Sequence, residues 1–452
     1  MMRYLFSFFL FISFFLETTA QRPYKITGFF PTAVKKEVLL KAFGFKKDSV
    51  LAKINTDATG RFTIKYPASY TGAAVLEITG LKSVIVLLNK ENFGVQWSDL
   101  EDFKTLTFTN SPENDAFAEG IALYQNAEGK RSGLDYLLPL YVKDNIRSGF
   151  ITQEIKVQKQ AMDLYLGGLP KDSYAIYYLK IRRLIADMPQ TAERYIERIS
   201  EHEISFNTLD FNDKRLIQSG LYEELLNTYV VLMESYGGQV YAHMDASSDA
   251  LIKSLKINPD LQQEVATTLF NFFEKRSLFK SAEHIALTML EDDGCRLDAN
   301  NQALFEQYRK MAKGNLAPKL KFENTKSSFK ELGDLKNKYK LVIFASSWCT
   351  NCIEEIPKIK AFYPGWKKKD DLEVVLVSLD TDKEKYEAFI KDMDWVTTSD
   401  FEGWEGQAAR DYCIFATPTL YLLDADNKIL VKPVSPEQIN AWLDMLRTKE
   451  LQ

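Results

Sequence analysis

The sequence predicts a multidomain fold with an all-β, sandwich-like part near the N-terminus, an all-α middle and an α/β part at the C-terminus. Three patterns predict this order: period-two alternation over 24–110, a helical apolar period over 113–314, and alternating strand and helix patterns beyond it. At roughly 100–200 residues per domain, 452 residues suit two to four domains. We therefore expect segments at 1–20, 21–112, 113–314 and 315–452.

Composition excludes several classes of protein. With 46% hydrophobic and 13% aromatic residues, each segment can bury a core, so wholesale disorder is excluded. The chain has 57 basic and 62 acidic side chains and no obvious basic run, which argues against nucleic acid as a partner. Four cysteines are too few for disulfide bonds to be the main stabilisation of a chain of this size.

The first twenty residues have the layout of a secretory signal peptide. Arg3 precedes an apolar run over 4–16, and small residues lead up to Ala20, where we expect cleavage. The alternative is an uncleaved anchor, but spanning a bilayer takes about 20 apolar residues and this run is shorter. We expect the protein to be exported to the periplasm or cell envelope.

The β segment is predicted from alternation and turns. Phe62, Ile64 and Tyr66 alternate with polar residues, as a half-buried strand requires, and a turn sequence at 57–60 leads into them. Roughly seven or eight such strands with little helix predict a small β-sandwich.

The middle segment is predicted to be helical. Apolar residues recur near a 3.6-residue period, for example at Ile176, Leu179, Ile181, Leu184 and Ile185. Breaks between helices are indicated by Pro170, Pro189 and Pro259. We find no chemistry in this segment, and a helical spacer or dimerisation unit is the favoured interpretation.

The C-terminal segment alternates strands and helices, which predicts an α/β sheet. The predicted strands and helix lie at 341–345, 372–379, 382–393 (the helix), 419–423 and 429–434. Ser435 and Pro436 suit the cap and first position of a last helix.

A cysteine pair at Cys349 and Cys352 follows directly on the first of these strands and opens a helix. Disulfide exchange needs a thiolate, and unpaired backbone N–H groups at a helix N-terminus favour one. Cys352 would lie one turn inward, where it could attack the mixed disulfide formed by Cys349. We therefore predict Cys349 as the attacking thiol and Cys352 as the resolving thiol.

Two other interpretations of the pair are a structural disulfide and half of a zinc site. A zinc site needs two more ligands, and the three histidines lie far upstream at His202, His243 and His284. A structural disulfide in an exported chain more often bridges distant segments. The redox interpretation is favoured, and neither a metal nor another cofactor is expected.

The residues around the pair resemble the thioredoxin superfamily. The run from Trp348 to Pro357, followed by Ala416-Thr417-Pro418-Thr419, is similar to the TlpA/ResA-like branch of exported thiol–disulfide oxidoreductases. The resemblance covers residues 316–452 and implies a thioredoxin fold with a cis peptide before Pro418. The β segment resembles a domain that precedes such modules in many bacterial envelope proteins.

The resemblance also implies roles for individual residues. The cis-proline loop would face the cysteines, so that the Thr417 backbone pairs with an extended substrate. Trp348, Thr417 and Pro418 would then bind the substrate. Glu355 matches the family's acidic position and could tune the thiol or pass a proton to Cys352. The alternative for Glu355 is a solvated helix residue stabilised by the helix dipole.

Two positions depart from the pattern of thioredoxins proper. Ile343 replaces a buried aspartate, so any buried-acid role would shift, for instance to Glu355. Thr350 and Asn351 replace the commoner Gly-Pro between the cysteines. No histidine lies between them, and the acidic charge of Glu354 and Glu355 opposes a thiolate, so we expect a reductant.

The two other cysteines are predicted to be inert. Cys413 is expected to pack as a small hydrophobic residue, and Cys295 lies in the helical segment, although a bridge between them is possible. The acidic run Asp380-Thr381-Asp382 is similar to a calcium loop but has Lys385 where glycine is required, so a helix cap is favoured.

The sequence thus favours an exported thiol–disulfide oxidoreductase that reduces disulfides of cysteine-containing envelope proteins. Electrons would come from a membrane-embedded thiol donor, and the resemblance implies apocytochromes in cytochrome c maturation as candidate substrates. A thiol peroxidase is one alternative, because Ser346 and Cys349 match a Ser-x-x-Cys spacing. The other is a redox-gated binding or scaffold protein that uses the β and helical segments.

Overall fold

The computed structural model describes residues 22–292 and 297–450, which form two compact units. The first unit comprises the described residues up to 183 together with 213–221, and the second comprises the remainder. The helical segment predicted at 113–314 is thus divided between the units. The predicted signal peptide and Cys295 lie outside the described residues.

The first unit contains two four-stranded sheets. The strands are β1 (Tyr24–Phe29), β2 (Glu37–Ala42), β3 (Ser49–Asn55), β4 (Arg61–Tyr66), β5 (Thr71–Ile78), β6 (Ser83–Asn89), β7 (Phe93–Trp97) and β8 (Leu106–Thr109). One sheet has the order β4-β1-β7-β8 and the other β3-β2-β5-β6. Buried residues of both sheets, including Ile64, Trp97, Val38 and Leu76, belong to one hydrophobic core.

The local patterns that predict β4 are confirmed. Phe62, Ile64 and Tyr66 are buried and the residues between them are exposed, so one face of β4 packs on the core. The turn before it needs its glycine, because Gly60 has a φ of +84° and a Cβ there would lie 2.1 Å from the Phe30 carbonyl oxygen.

The helices from residue 112 onwards confirm that the middle of the chain is helical. They are α1 (Pro112–Leu137), α2 (Asn145–Gly168), α3 (Tyr174–Arg194), α4 (Ile199–Asn207), α5 (Lys214–Ile217), α6 (Tyr222–Glu234), α7 (Val240–Ser254), α8 (Pro259–Lys275), α9 (Phe279–Glu291) and α10 (Ala299–Lys310). None of the helices in the described residues has the length and hydropathy of a membrane-spanning segment.

The C-terminal part of the second unit is an α/β domain, as the sequence predicts. Its elements are β9 (Tyr339–Ala345), α11 (Thr350–Asp370), β10 (Leu372–Ser378), α12 (Lys383–Phe389), β11 (Val396–Thr398), α13 (Gln407–Asp411), β12 (Thr419–Leu423), β13 (Ile429–Val431) and α14 (Pro436–Glu450). The sheet has the order β11-β10-β9-β12-β13. β9, β10 and β11 are parallel, while β12 runs antiparallel to β9 and β13.

Two predicted C-terminal ends in this domain lie a few residues too far along the chain. The strand predicted to reach 434 ends at Val431, and Pro433, which lacks an N–H group for a sheet ladder, follows two residues later. The helix predicted over 382–393 ends at Phe389. Its start is predicted correctly, because Asp382 caps α12 by accepting from the backbone N–H groups of Glu384 and Lys385.

A buried ion pair joins α8 to the edge of the α/β sheet within the second unit. Glu274 of α8 is 1% exposed and accepts from Lys432 Nζ, just after β13, at 3.2 Å. Burial lowers the pKa of Lys432, and the negative charge of Glu274 opposes that shift. Lys432 also lies over the Phe279 ring at 3.6 Å. The two opposite charges therefore compensate each other's burial.

We predict that Lys432→Met destabilises the protein by about 3–5 kcal/mol, because it leaves the Glu274 carboxylate buried and unpaired. Adding Glu274→Gln should restore much of the loss, since a neutral amide tolerates burial better. Urea unfolding measures both effects. Lys428→Met, at an exposed neighbouring lysine, serves as the control. If Lys432→Met lowered the free energy of unfolding only as much as Lys428→Met does, the ion pair would not contribute to stability.

Candidate active site

Cys349 lies at the junction between a buried strand and a helix. β9 ends at Ala345, and Cys349 is the N-cap of α11, where its Sγ accepts from the backbone N–H of Cys352 at 3.2 Å. Its residue surface is 9% exposed. The first cysteine thus takes the place of the serine or aspartate that commonly caps a helix. Its sulfur faces the unpaired N–H groups of the first turn.

Cys352 lies one turn inward and is fully buried. Burial, together with its hydrogen bond with Cys349, raises the pKa of the Cys352 thiol to about 12. At neutral pH the Cys352 thiol therefore keeps its proton. The two thiols are chemically different, because Cys349 is partly accessible at a helix N-terminus and Cys352 is enclosed.

The loop that contains Pro418 lies directly against the cysteine pair. The Thr417–Pro418 peptide is cis, which confirms the geometry implied by the resemblance. The Cys349 thiol donates to the Thr417 carbonyl oxygen at 3.2 Å. The hydroxyl of Thr419 donates to the Ala416 carbonyl at 2.8 Å within the same loop. The fold thus brings Cys349, Cys352, Thr417 and Pro418 to one place.

Trp348 is exposed beside the pair and has an aromatic neighbour that the sequence analysis does not identify. Trp348 is 53% exposed, and its ring centroid lies 6.1 Å from that of Trp404 in the segment after β11. Ile353 in the first turn of α11 is also exposed. These side chains form an apolar surface next to Cys349, of a kind that often marks a binding site.

Asp380 supports the loop before the cysteines, although the sequence analysis gives it no such role. Its buried carboxylate accepts from the Ser347 backbone N–H at 3.1 Å, the Ser347 hydroxyl at 2.6 Å and the Ser378 hydroxyl at 2.7 Å. The signal in the sequence that could have identified this role is the position of Asp380 after a strand. Asp380 follows β10, which is parallel to β9, so the residues after the two strands meet at one sheet edge.

Glu355 is only partly solvated. Lys358 Nζ donates to its Oε1 at 2.7 Å, while its Oε2 is buried and has no hydrogen-bond partner among the described residues. A buried carboxylate oxygen without a donor is costly. Its position therefore differs from that of an ordinary exposed helix residue.

Cys413 is buried within the second unit and lies in the loop before the cis peptide. Burial raises the pKa of its thiol to about 12, with the Lys432 cation acting in the opposite direction. A buried, protonated thiol behaves as a small hydrophobic group. This placement fits the predicted packing role, while a bridge to Cys295 stays a prediction, because Cys295 lies outside the described residues.

We predict that Asp380→Ala lowers disulfide-reductase activity between about 10- and 100-fold, because the active-site loop would lose its anchor and the thiol its position. Urea unfolding should show a loss of about 1–3 kcal/mol from the unpaired donors of Ser347. Asp380→Asn, which keeps an acceptor, should retain most of the activity.

The matched control is Asp382→Ala, two residues away. It removes the cap of α12 and should cost about 1 kcal/mol of stability without changing the activity. If Asp380→Ala and Asp382→Ala reduced activity equally, Asp380 would have no special effect on the active-site loop.

Comparison with known proteins assigns the C-terminal part to a family. A family model described as thioredoxin-like matches residues 337–429. The ResA thiol–disulfide oxidoreductase of Bacillus cereus is 27% identical over 143 residues, which are 32% of this chain and 81% of that protein. The sporulation thiol–disulfide oxidoreductase A of Bacillus subtilis is 27% identical over 115 residues, covering 24% of this chain and 68% of that protein.

A solved structure of a thiol–disulfide oxidoreductase from Bacteroides fragilis is 29% identical and covers 29% of this chain and 99% of its own, with a TM-score of 0.27. A thioredoxin-like protein from Bacteroides caccae is 15% identical and covers 55% of this chain and 93% of its own, with a TM-score of 0.41. The C-terminal α/β part of this chain is a thioredoxin-like domain of the thioredoxin superfamily, with similarity to the ResA thiol–disulfide oxidoreductases.

Proposed function

We propose that this protein is a thiol–disulfide oxidoreductase that cycles Cys349 and Cys352 between a dithiol and a disulfide. The observation that carries the proposal is the position of Cys349 Sγ, which caps α11 and lies 3.2 Å from the Thr417 carbonyl oxygen. A neighbouring buried thiol at Cys352 supplies the second sulfur that such a cycle needs. The names of the ResA relatives support the same activity.

The proposed reaction moves two electrons from the cysteine pair to the substrate disulfide. The Cys349 thiolate attacks one substrate sulfur and forms a mixed disulfide, while the other substrate sulfur leaves and takes a proton. Cys352 then loses its proton and attacks Cys349 Sγ. This step forms the Cys349–Cys352 disulfide and releases the second substrate thiol. A separate dithiol donor must reduce the pair before the next cycle.

The high pKa of Cys352 makes its deprotonation the demanding part of the second step. A nearby base would accelerate it, and Glu355 is the proposed acceptor. The buried, unpartnered Oε2 of Glu355 supports this role, since an oxygen without a donor is free to accept a proton.

We further propose that the substrate is a protein segment that binds in extended form. Its backbone would pair with that of Thr417 beside the cis Pro418, as in β-strand addition. Apolar side chains next to the substrate cysteine would contact the exposed surface of Trp348 and Trp404. This arrangement would place the substrate sulfur close to Cys349.

The proposed setting is the cell envelope, supported by the predicted signal peptide and by the relation to ResA proteins. Substrates would be cysteine-containing envelope proteins, with apocytochromes as one candidate, and the donor a membrane-embedded thiol protein. The two β-sheets that share a core support a sandwich-like domain at residues 21–112.

The central experiment is a trapping assay with single cysteine variants. Cys352→Ser should accumulate a mixed disulfide on Cys349, because the resolving thiol is gone. Cys349→Ser should abolish both trapping and insulin reduction with dithiothreitol. Cys413→Ser, which alters a third buried thiol, is the control and should behave as wild type.

Equal insulin reduction by the wild type and Cys349→Ser would contradict the proposed enzyme and favour the scaffold alternative. Rapid consumption of hydrogen peroxide that exceeds the rate with protein disulfides would instead favour the peroxidase. Each outcome is measured with the same purified variants.

We also predict the direction of the reaction. The acidic charge of Glu354 and Glu355 and the lack of histidine between the cysteines favour the disulfide form of the pair, which is the property of a reductant. The midpoint potential should lie near about −270 mV, as in thioredoxin. Equilibration with glutathione or dithiothreitol buffers measures it, and a value near about −120 mV would identify an oxidant instead.

A further inference from the structure

A helix outside the matched thioredoxin-like residues contacts the cis-proline loop. Phe415 lies two residues before Thr417, and its ring packs edge-on against Phe270 of α8, with centroids 5.8 Å apart and planes at 90°. We propose that Phe270 is a positioning residue for thiol exchange. Through Phe415 it holds the cis-proline loop where Thr417 pairs with a protein substrate. The inference rests on the proposed function and adds a role for the helical segment.

Phe270 is the centre of a buried aromatic cluster. It is fully buried and packs edge-on against Phe305 at 5.3 Å and Tyr308 at 5.0 Å, both on α10, as well as against Phe415. Edge-to-face pairs have preferred orientations, so the three rings that pack on Phe270 restrict its orientation and, through it, their own. The position of Phe415 is thereby tied to two helices of the same compact unit.

A second contact holds the same face of α8 against the α/β domain. Glu274 lies four residues after Phe270, so both side chains are on one side of the helix. Glu274 binds Lys432 beyond β13, and it also accepts from the Tyr308 hydroxyl of the aromatic cluster. α8 is thus anchored at the sheet edge one turn away from the place where it contacts the loop.

A third contact lies at the start of the loop. Gln307 of α10 donates to the Arg410 carbonyl oxygen in α13. The same stretch contains Cys413, whose φ of +52° is a left-handed conformation that non-glycine residues rarely adopt. Here it ends α13, because the N–H groups of Cys413 and Ile414 donate to the carbonyl oxygens of Arg410 and Ala409. The loop is therefore held by the helical segment at both 410 and 415.

The loop requires accurate placement because an extended protein substrate must reach the Thr417 backbone and the Cys349 sulfur at the same time. Thr417 accepts from Cys349 at 3.2 Å and follows Phe415 after one intervening residue. A shift of the Phe415 ring would move the Thr417 backbone with it. Misplacement by about 1 Å can reduce a rate about 100-fold when reacting groups must align.

This positioning should matter for some substrates more than for others. A protein substrate must lay its backbone along Thr417, and the outer side of Phe415, which is 37% exposed, borders that path. A small aromatic disulfide needs only the sulfur of Cys349. Phe270 should therefore affect the reduction of proteins and leave the reaction with small disulfides unchanged.

The test compares Phe270→Leu with Phe273→Leu in the full chain. Both residues are fully buried in α8, but Phe273 has no ring contact with Phe415 among the described residues. Phe270→Leu should lower kcat/KM for the reduction of disulfides in a protein substrate such as insulin about tenfold, mainly through KM. The rate with 5,5′-dithiobis(2-nitrobenzoate) should stay unchanged. Phe273→Leu should leave both rates at the wild-type level at a temperature where both variants are folded.

A double-variant comparison covers the case in which Phe270→Leu folds poorly. Phe415→Leu changes a half-exposed ring and should show the same selective loss, and adding Phe270→Leu should lower kcat/KM no further. The inference is overturned if the decreases in kcat/KM caused by Phe270→Leu and Phe415→Leu multiply in the double variant. It is also overturned if Phe415→Leu has wild-type kinetics, or if the variants affect insulin and the small disulfide equally. If the wild type itself fails to reduce either disulfide, the proposed function fails rather than the positioning role.

Discussion

The hydrogen bonds at Cys349 Sγ are the interaction on which the candidate site depends. The sulfur accepts from the first turn of α11 and donates to Thr417, so one atom connects the helix that follows β9 with a loop 68 residues further along the chain. Neither contact would form if the strand, the helix start or the cis peptide were displaced. The rest of the domain can be understood as the support of this one sulfur.

Support comes from the sheet on one side and from the helical segment on the other. Asp380, after β10, holds the Ser347 backbone that precedes the cysteines. Phe270 and Glu274 of α8 hold the loop and the sheet edge. The buried polar contacts of Asp380 and Glu274 add little net stability, because desolvation opposes them, but they strongly penalise other arrangements. Their main effect is to fix the positions of the active-site loop and the sheet edge.

The sequence predicts those parts of the structure that depend on short-range patterns. The alternation at Phe62 and Ile64, the cap at Asp382 and the start of α11 at the cysteine pair follow from spacing and residue type alone. The roles of Asp380 and Phe270 do not, because each depends on which distant strand or helix is its neighbour in space. No local pattern distinguishes Phe270 from Phe273, although among the ring pairs of the described residues only Phe270 packs against Phe415.

The two cysteines illustrate how position creates function from identical side chains. Cys352 is enclosed and keeps its proton, whereas Cys349 lies where backbone N–H groups favour negative charge. In the proposed cycle, this difference makes Cys349 the first thiol to attack and Cys352 the second. The proposed second step would have to remove the proton of a buried thiol. Glu355 is the proposed acceptor, because it lies one helical turn beyond Cys352 and has a buried carboxylate oxygen without a hydrogen-bond partner among the described residues. An exposed second cysteine would deprotonate more easily, but it would compete with Cys349 for the substrate. Burial of Cys352 therefore slows its attack on the mixed disulfide, but it ensures that Cys349 reacts with the substrate first.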